Sequence, residues 1–347
     1  MIQLLAIVLA SLVGGFWLVF AVGQSWSEYL QVRVLLAVAI IPLVSAHVLT
    51  TVRTTRESPS QPRTVEDVRI RLIRIAFKSL ALSLSWSATL VWALICSLID
   101  IDAAIVFVDD VLPLFPYLVA AVPIGVALLE LRDGARQDHW YHLGAAVLGR
   151  SKFRLKDHKL ALLTTALKAF FVPLMYGNAI LALNNLLSLG PIPTSQSWVA
   201  WLFYLGLTMD LLVATIGYLF TSRVLGTGVR SVDDSALGWL VCLICYAPLS
   251  QYVSLLTRQT DTLIWSDWLS PTQALYWIWA FLIVTTWLVY WLSTTAFGLR
   301  FSNLSYRGLV DVGPYRFCKH PAYLSKCTYW WLAAVPFYGV LNTVDMV

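Results

Sequence analysis

Charge is scarce in this chain. Of its 347 residues only 12% are Asp, Glu, Lys or Arg, against 59% hydrophobic, whereas soluble domains carry about 25% charged residues. With a mean hydropathy of +0.73, that scarcity excludes an ordinary soluble domain and points to an integral membrane protein. Cysteine is sparse and odd in number. Cys96, Cys242, Cys245, Cys318 and Cys327 provide no disulfide framework, and three of them lie in apolar stretches. Cys242 and Cys245 make a C-x-x-C with no His or further Cys beside it, so helix packing accounts for it better than metal or redox use. No repeat and no linker composition divides the chain. The net charge of +5 is dispersed among apolar segments rather than aligned on one helix, so nucleic acid is not an expected partner.

What is abundant is apolar length. A bilayer core takes about 20 apolar residues per helix, and runs of that size recur at 2–22, 32–49, 73–99, 111–131, 160–189, 198–220, 237–256 and 276–297. A ninth piece, 323–341, is interrupted by Lys326 and Pro336. The fold class expected is all-α, a polytopic transmembrane bundle of eight or nine spans. The first run is longer than a signal-peptide core and has no basic segment before it, so a retained first helix is expected.

Orientation follows from Lys and Arg in short loops. Arg53, Arg56, Arg63, Arg69 and Arg71 fill the second loop. Arg132, Arg136, Arg150, Lys152, Arg154, Lys156 and Lys159 fill the fourth. The third carries Asp100, Asp102, Asp109 and Asp110 without a basic residue, and the fifth, 190–197, is uncharged. The alternation puts the N-terminus and the segment 298–322 on the cytoplasmic side. The stretch 54–63, with Pro59 and Pro62, reads as a flexible loop. Asn303-Leu304-Ser305 matches a glycosylation sequon but falls in a cytoplasmic loop, where that chemistry does not operate.

The densest polar signal is GPYRFCKHPAYL at 313–324. Gly308, Gly313 and Pro314 end the preceding helix, so backbone polar groups there need water, neighbouring helices or a ligand as partners. Pro321 suits the first turn of a new helix. Helix N-termini favour anions, and Arg316 and Lys319 beside that end add to the attraction. Tyr315 and Tyr323 offer ring faces to a cation. Such a pocket suits a zwitterionic cofactor. The competing account treats the cations as topology determinants and the tyrosines as interfacial anchors.

Gly313, Tyr315, Lys319, His320, Pro321 and Tyr323 together resemble the cofactor signature of the isoprenylcysteine carboxyl methyltransferase family and its phospholipid methyltransferase relatives. In these small membrane enzymes a G-x-Y-x-x-x-R-H-P-x-Y core precedes a transmembrane helix. Arg300 to Leu304 and Arg307-Gly308 look like the lead-in of bacterial members. The resemblance covers about the last fifty residues. It implies S-adenosylmethionine as methyl donor and a lipid-like or prenylated acceptor reached from the bilayer. It also implies that His320, Pro321 and Tyr323 line the cofactor pocket with Gly313, that Arg316 and Lys319 hold its carboxylate or adenosine side, and that Tyr315 packs near the sulfonium. Lys319 stands where the family has Arg, which loses a bidentate fork, and Ser325 stands near a position where Gly is common. Family members continue into a further span and a second motif with an Asn-Pro step, so either a continuation beyond Val347 or a site lacking half its residues is expected.

On these readings residues 271–347 carry the cofactor motif and residues 1–270 form a multi-span region whose role the sequence does not state. Two rivals remain. One is a membrane reductase of the steroid-reductase type using NADPH. The other is a non-enzymatic transporter or scaffold, in which the intramembrane ions Lys168 and Asp210 matter most, as a functional pair or a structural one. Asn178, Asn184 and Asn185 read as interhelical glue. Asp138, His139 and His142 have metal-like spacing but no third ligand position in view, and no metal is expected.

Overall fold

The computed structural model describes residues 2–27, 29–38, 41, 45, 65–133, 137–194, 197–219, 221, 227–257 and 264–334. The expected loop 54–63 and the end of the ninth apolar piece lie outside them. Among the described residues the chain is all-α apart from one two-stranded ribbon. The helices are α1 (Ile2–Val22), α2 (Tyr29–Val38), α3 (Val65–Ser97), α4 (Asp102–Val111), α5 (Phe115–Asp133), α6 (His139–Val147), α7 (Leu155–Ser188), α8 (Trp198–Leu219), α9 (Ala236–Ile244), α10 (Leu249–Thr257), α11 (Trp265–Trp268), α12 (Ala274–Phe297) and α13 (Pro321–Ala334).

Helices α3, α7, α8 and α12 are long and apolar enough to cross a membrane. The bent pair α4–α5, turned by 73°, makes a fifth crossing if it counts as one span. The described residues therefore hold four or five candidate crossings, not the eight or nine expected. Two differences have local causes. Residues 237–256 form two short helices, α9 and α10, broken before Pro248, whose missing N–H interrupts a helix interior. The acidic third loop is largely helix α4, and Asp110 at its end is buried rather than facing water.

The long helix α7 is the axis of the molecule. It is apolar on nearly all sides, as a helix surrounded by others must be, and it packs on α3, α4, α6 and α8. One core joins α1, α2, α7 and α8 around Phe16, Leu183 and Met209. Another joins α3, α4, α7 and α8 around Phe107, Phe171 and Tyr218. A third, rich in tryptophan, sets α12 and α13 against the start of α8. Small residues permit the closest approaches. A Cβ added at Gly177 of α7 would lie 1.9 Å from the Ala103 carbonyl oxygen of α4, and one at Gly144 of α6 would lie 1.9 Å from that of Phe77 in α3. Backbones meet there as they do at small-residue interfaces of membrane helices.

Several buried ions are paired. Glu130 of α5 accepts from Arg74 Nε at 3.1 Å and from Lys78, which also lies 2.9 Å from Asp138. Asp138 in turn caps α6, accepting from the amides of Trp140 at 3.1 Å and Tyr141 at 3.0 Å. That duty explains its place beside His139 and His142. Across the molecule Asp110 pairs with Arg33 and accepts from the Tyr176 hydroxyl at 2.8 Å.

Candidate functional site

The segment after α12 has the irregular backbone the glycines foretell, and its polar groups find protein partners. Gly298 ends α12 with φ 52°, a left-handed terminus suited to glycine. Beyond a 3-10 turn at Gly298–Arg300, strand β2 (Ser305–Tyr306) pairs antiparallel with β1 (Ser231–Val232), in register Ser231↔Tyr306 and Val232↔Ser305. The ribbon ties the segment to the loop leading into α9. Asn303 donates its amide to the Tyr218 hydroxyl at 2.7 Å and its side chain to the Tyr246 hydroxyl at 2.8 Å. Its amide side chain is thereby held inside the fold.

Arg307 is only 3% exposed. Its Nη1 donates to the carbonyls of Gly217, near the end of α8, and Leu299, just past the end of α12. A guanidinium placed at two helix C-terminal regions meets the negative ends of both dipoles. Burial pulls its pKa down to about 10, against the opposing pull of Tyr218, so it stays charged at neutral pH. Sequence reading took it for a lead-in or topology residue; its role as a clamp between α8 and α12 needed the fold.

The expected site residues divide into two sets. Gly313 (φ 63°) opens a 3-10 turn, Gly313–Arg316, and Pro321 opens α13. Both face an open apolar groove of ≈ 560 Å³ between the start of α13 and α12, alongside Leu324 and Val289. Tyr315 packs edge-on against Phe297 at 4.9 Å. Burial, and then Tyr323, push its hydroxyl up to about 12, so it stays protonated at neutral pH. Arg316, Lys319, His320 and Tyr323 form the second set, all exposed at the N-terminal end of α13, with the His320 and Tyr323 rings 6.0 Å apart. Among the described residues no carboxylate lies within ion-pair distance of Arg316 or Lys319.

The intramembrane ions do not meet. Lys168, 3% exposed, directs its ammonium at the rings of Trp86 and Trp140, 5.6 and 6.0 Å from their centroids. Asp210 instead accepts from the Tyr290 hydroxyl of α12 at 2.9 Å. A Lys168–Asp210 pair is therefore replaced by two separate environments, because the two side chains leave α7 and α8 toward different neighbours.

Asp210 opens onto an interior cavity of ≈ 240 Å³ behind α13, walled by aromatic residues of α8, α12 and α13 and meeting the apolar groove at Thr286 and Ser325. Sequence reading missed Tyr290, Trp287 and Lys326 there. The signal available was Asp210 itself, since a lone acid in a span implies a partner in the bundle. No family model, curated protein or solved structure matches this chain.

Proposed function

We propose that the chain is an integral membrane methyltransferase that uses S-adenosylmethionine to methylate a lipid-like or isoprenylated acceptor. In this reading the site faces the cytoplasm from a bundle of eight or nine crossings. One observation carries it: at the start of α13 an unpaired basic and aromatic face adjoins an apolar groove. Among the described residues Arg316 and Lys319 have no acid of their own, so they suit a carboxylate. His320 and Tyr323 present exposed rings that suit adenine or the sulfonium. These residues fit the donor at the level of charge and ring chemistry.

When bound, S-adenosylmethionine supplies an electrophilic methyl group on sulfur. The chain's part is to hold and align. Arg316 and Lys319 would fix the carboxylate, Tyr323 and His320 the planar groups, and the groove lined by Pro321 and Leu324 would receive an apolar acceptor tail while excluding water. Aligning two reactants and drying their contact supply most of the acceleration such a transfer needs.

The test is calorimetry on the full chain in an uncharged detergent. Saturable S-adenosylmethionine binding, weakened about tenfold or more in His320→Ala and in Arg316→Ala, is the expected outcome. Absence of binding, or binding of NADPH alone, would overturn the reading in favour of a reductase or a non-enzymatic bundle.

A further inference from the structure

The interior cavity behind α13 has an unusual chemistry for a membrane protein. Half of its lining residues are aromatic, among them Trp287, Tyr290 and Trp291 of α12 and Tyr329 and Trp330 of α13. A single carboxyl group, that of Asp210, faces into it. Asp210 is 6% exposed, and one oxygen is held by Tyr290. The other, Oδ1, is buried with no hydrogen-bond partner among the described residues. A buried carboxyl oxygen left unsatisfied is costly, so an occupant that satisfies it binds favourably. Trp287 also keeps a buried indole N–H without a partner there, which an acceptor oxygen on the same occupant would meet.

A second observation concerns what the walls hold already. Lys326 also lines the cavity and rests its ammonium 6.0 Å from the Tyr290 ring centroid and 5.1 Å from that of Trp330. Those distances are in the range of cation–π contacts. Lys326 makes no ion pair with Asp210, and the residue is exposed, which puts it at the mouth. The aromatic surface thus already receives a cation at its rim, which acts on the acid deeper in only from a distance and makes no contact with it.

The geometry points to an organic-cation site in this cavity: an alkylated onium group held by Asp210 and the surrounding rings, with Lys326 as a competing cation at the entrance. The groove that meets it at Thr286 and Ser325 gives an apolar tail somewhere to lie. Two sources share this chemistry, the ammonium head of a lipid-like ligand and the sulfonium of a bound donor. With a lipid-like ammonium as occupant the site is independent of the function proposed above; with the sulfonium it rests on that reading. His320→Ala abolishing donor binding while leaving the cavity's affinity intact would separate the two.

The test uses choline against 3,3-dimethylbutanol, probes of nearly equal shape in which only the first is charged, titrated into the full chain in an uncharged detergent and followed by calorimetry or ligand-observed NMR. Choline is expected to bind at least tenfold more tightly than the alcohol, to lose about tenfold in Asp210→Asn, and to gain affinity in Lys326→Gln. Equal binding of the two probes, or choline binding indifferent to Asp210→Asn, would overturn the proposal. Should Asp210→Asn fail to fold, Lys326→Gln decides alone, and unchanged or weaker binding there counts against it. Displacement of choline by S-adenosylmethionine but not by S-adenosylhomocysteine would assign the cation to the donor. Displacement by neither would assign it to a separate ammonium ligand.

Discussion

Gly206 sits on α8 where it faces Trp291 of α12, a wall residue of the interior cavity. A Cβ at Gly206 would lie 1.8 Å from Trp291 Cζ2 and 1.9 Å from Cε2. Carbon atoms rest at about 3.5–4.0 Å, so Gly206→Ala obliges the indole to move by roughly 1.5–2 Å. It must swing into the cavity or push α12 away from α8. Overpacking of this kind costs about 1–3 kcal/mol, and alanine's better helix propensity returns up to about 1 kcal/mol. The net expectation is a loss of up to about 3 kcal/mol, with choline affinity falling as well because Trp291 intrudes on the site. Gly177→Ala and Gly144→Ala meet backbone at 1.9 Å, which cannot swing aside, so each should lose more, about 2–3 kcal/mol. Gly14→Ala and Gly125→Ala meet nothing within 4 Å and should stay within about 1 kcal/mol of the parent. Thermal unfolding of all five variants in one detergent gives the ranking. If Gly206→Ala and Gly177→Ala melt with the two open-space controls, the close packing of α8 on α12 and of α4 on α7 is wrong.

Removing Glu130 tests the buried network between α3 and α5. Glu130→Ala strands the buried Arg74 and leaves the buried Lys78 with Asp138 alone, and losing one member of a buried ion pair costs about 3–5 kcal/mol; a change below about 1 kcal/mol on thermal unfolding would refute it. The turn into α9 should depend on pH. Asp233 accepts from the Ser235 amide at 2.8 Å and hydroxyl at 2.7 Å, and these bonds hold its carboxyl below the usual range. A lowered folded value means the contribution is present above the unfolded value of about 3.9 and is lost as pH falls through the folded one. Protection of the Gly238 and Trp239 amides, taken relative to the intrinsic exchange rate at each pH, should therefore fall below about pH 4, and Asp233→Asn should remove that dependence.

Some of this was legible in residue order alone. Gly308, Gly313 and Pro314 mark irregular backbone, and Pro321 marks the start of α13, because both signals act on their own neighbours in the chain. Lys168 and Asp210 stood out as ions in apolar runs, yet their partners did not follow. Tyr290 lies 80 residues from Asp210, and Asp110 lies 77 from Arg33. No local rule selects among the aromatic and basic residues at such separations. The bend within α4–α5 and the break between α9 and α10 are not legible in residues 100–131 and 237–256, because hydropathy does not distinguish a straight crossing from a bent pair of short helices.

By itself, then, the order of residues determined the solvent this chain needs and where its last helix begins, since scarcity of charge and backbone-restricting residues act without reference to the fold. Only the packing of α7, α8, α12 and α13 decided that the acid of α8 faces an aromatic chamber instead of the lysine of α7. That outcome is set by the direction in which each side chain leaves its helix once the helices have packed.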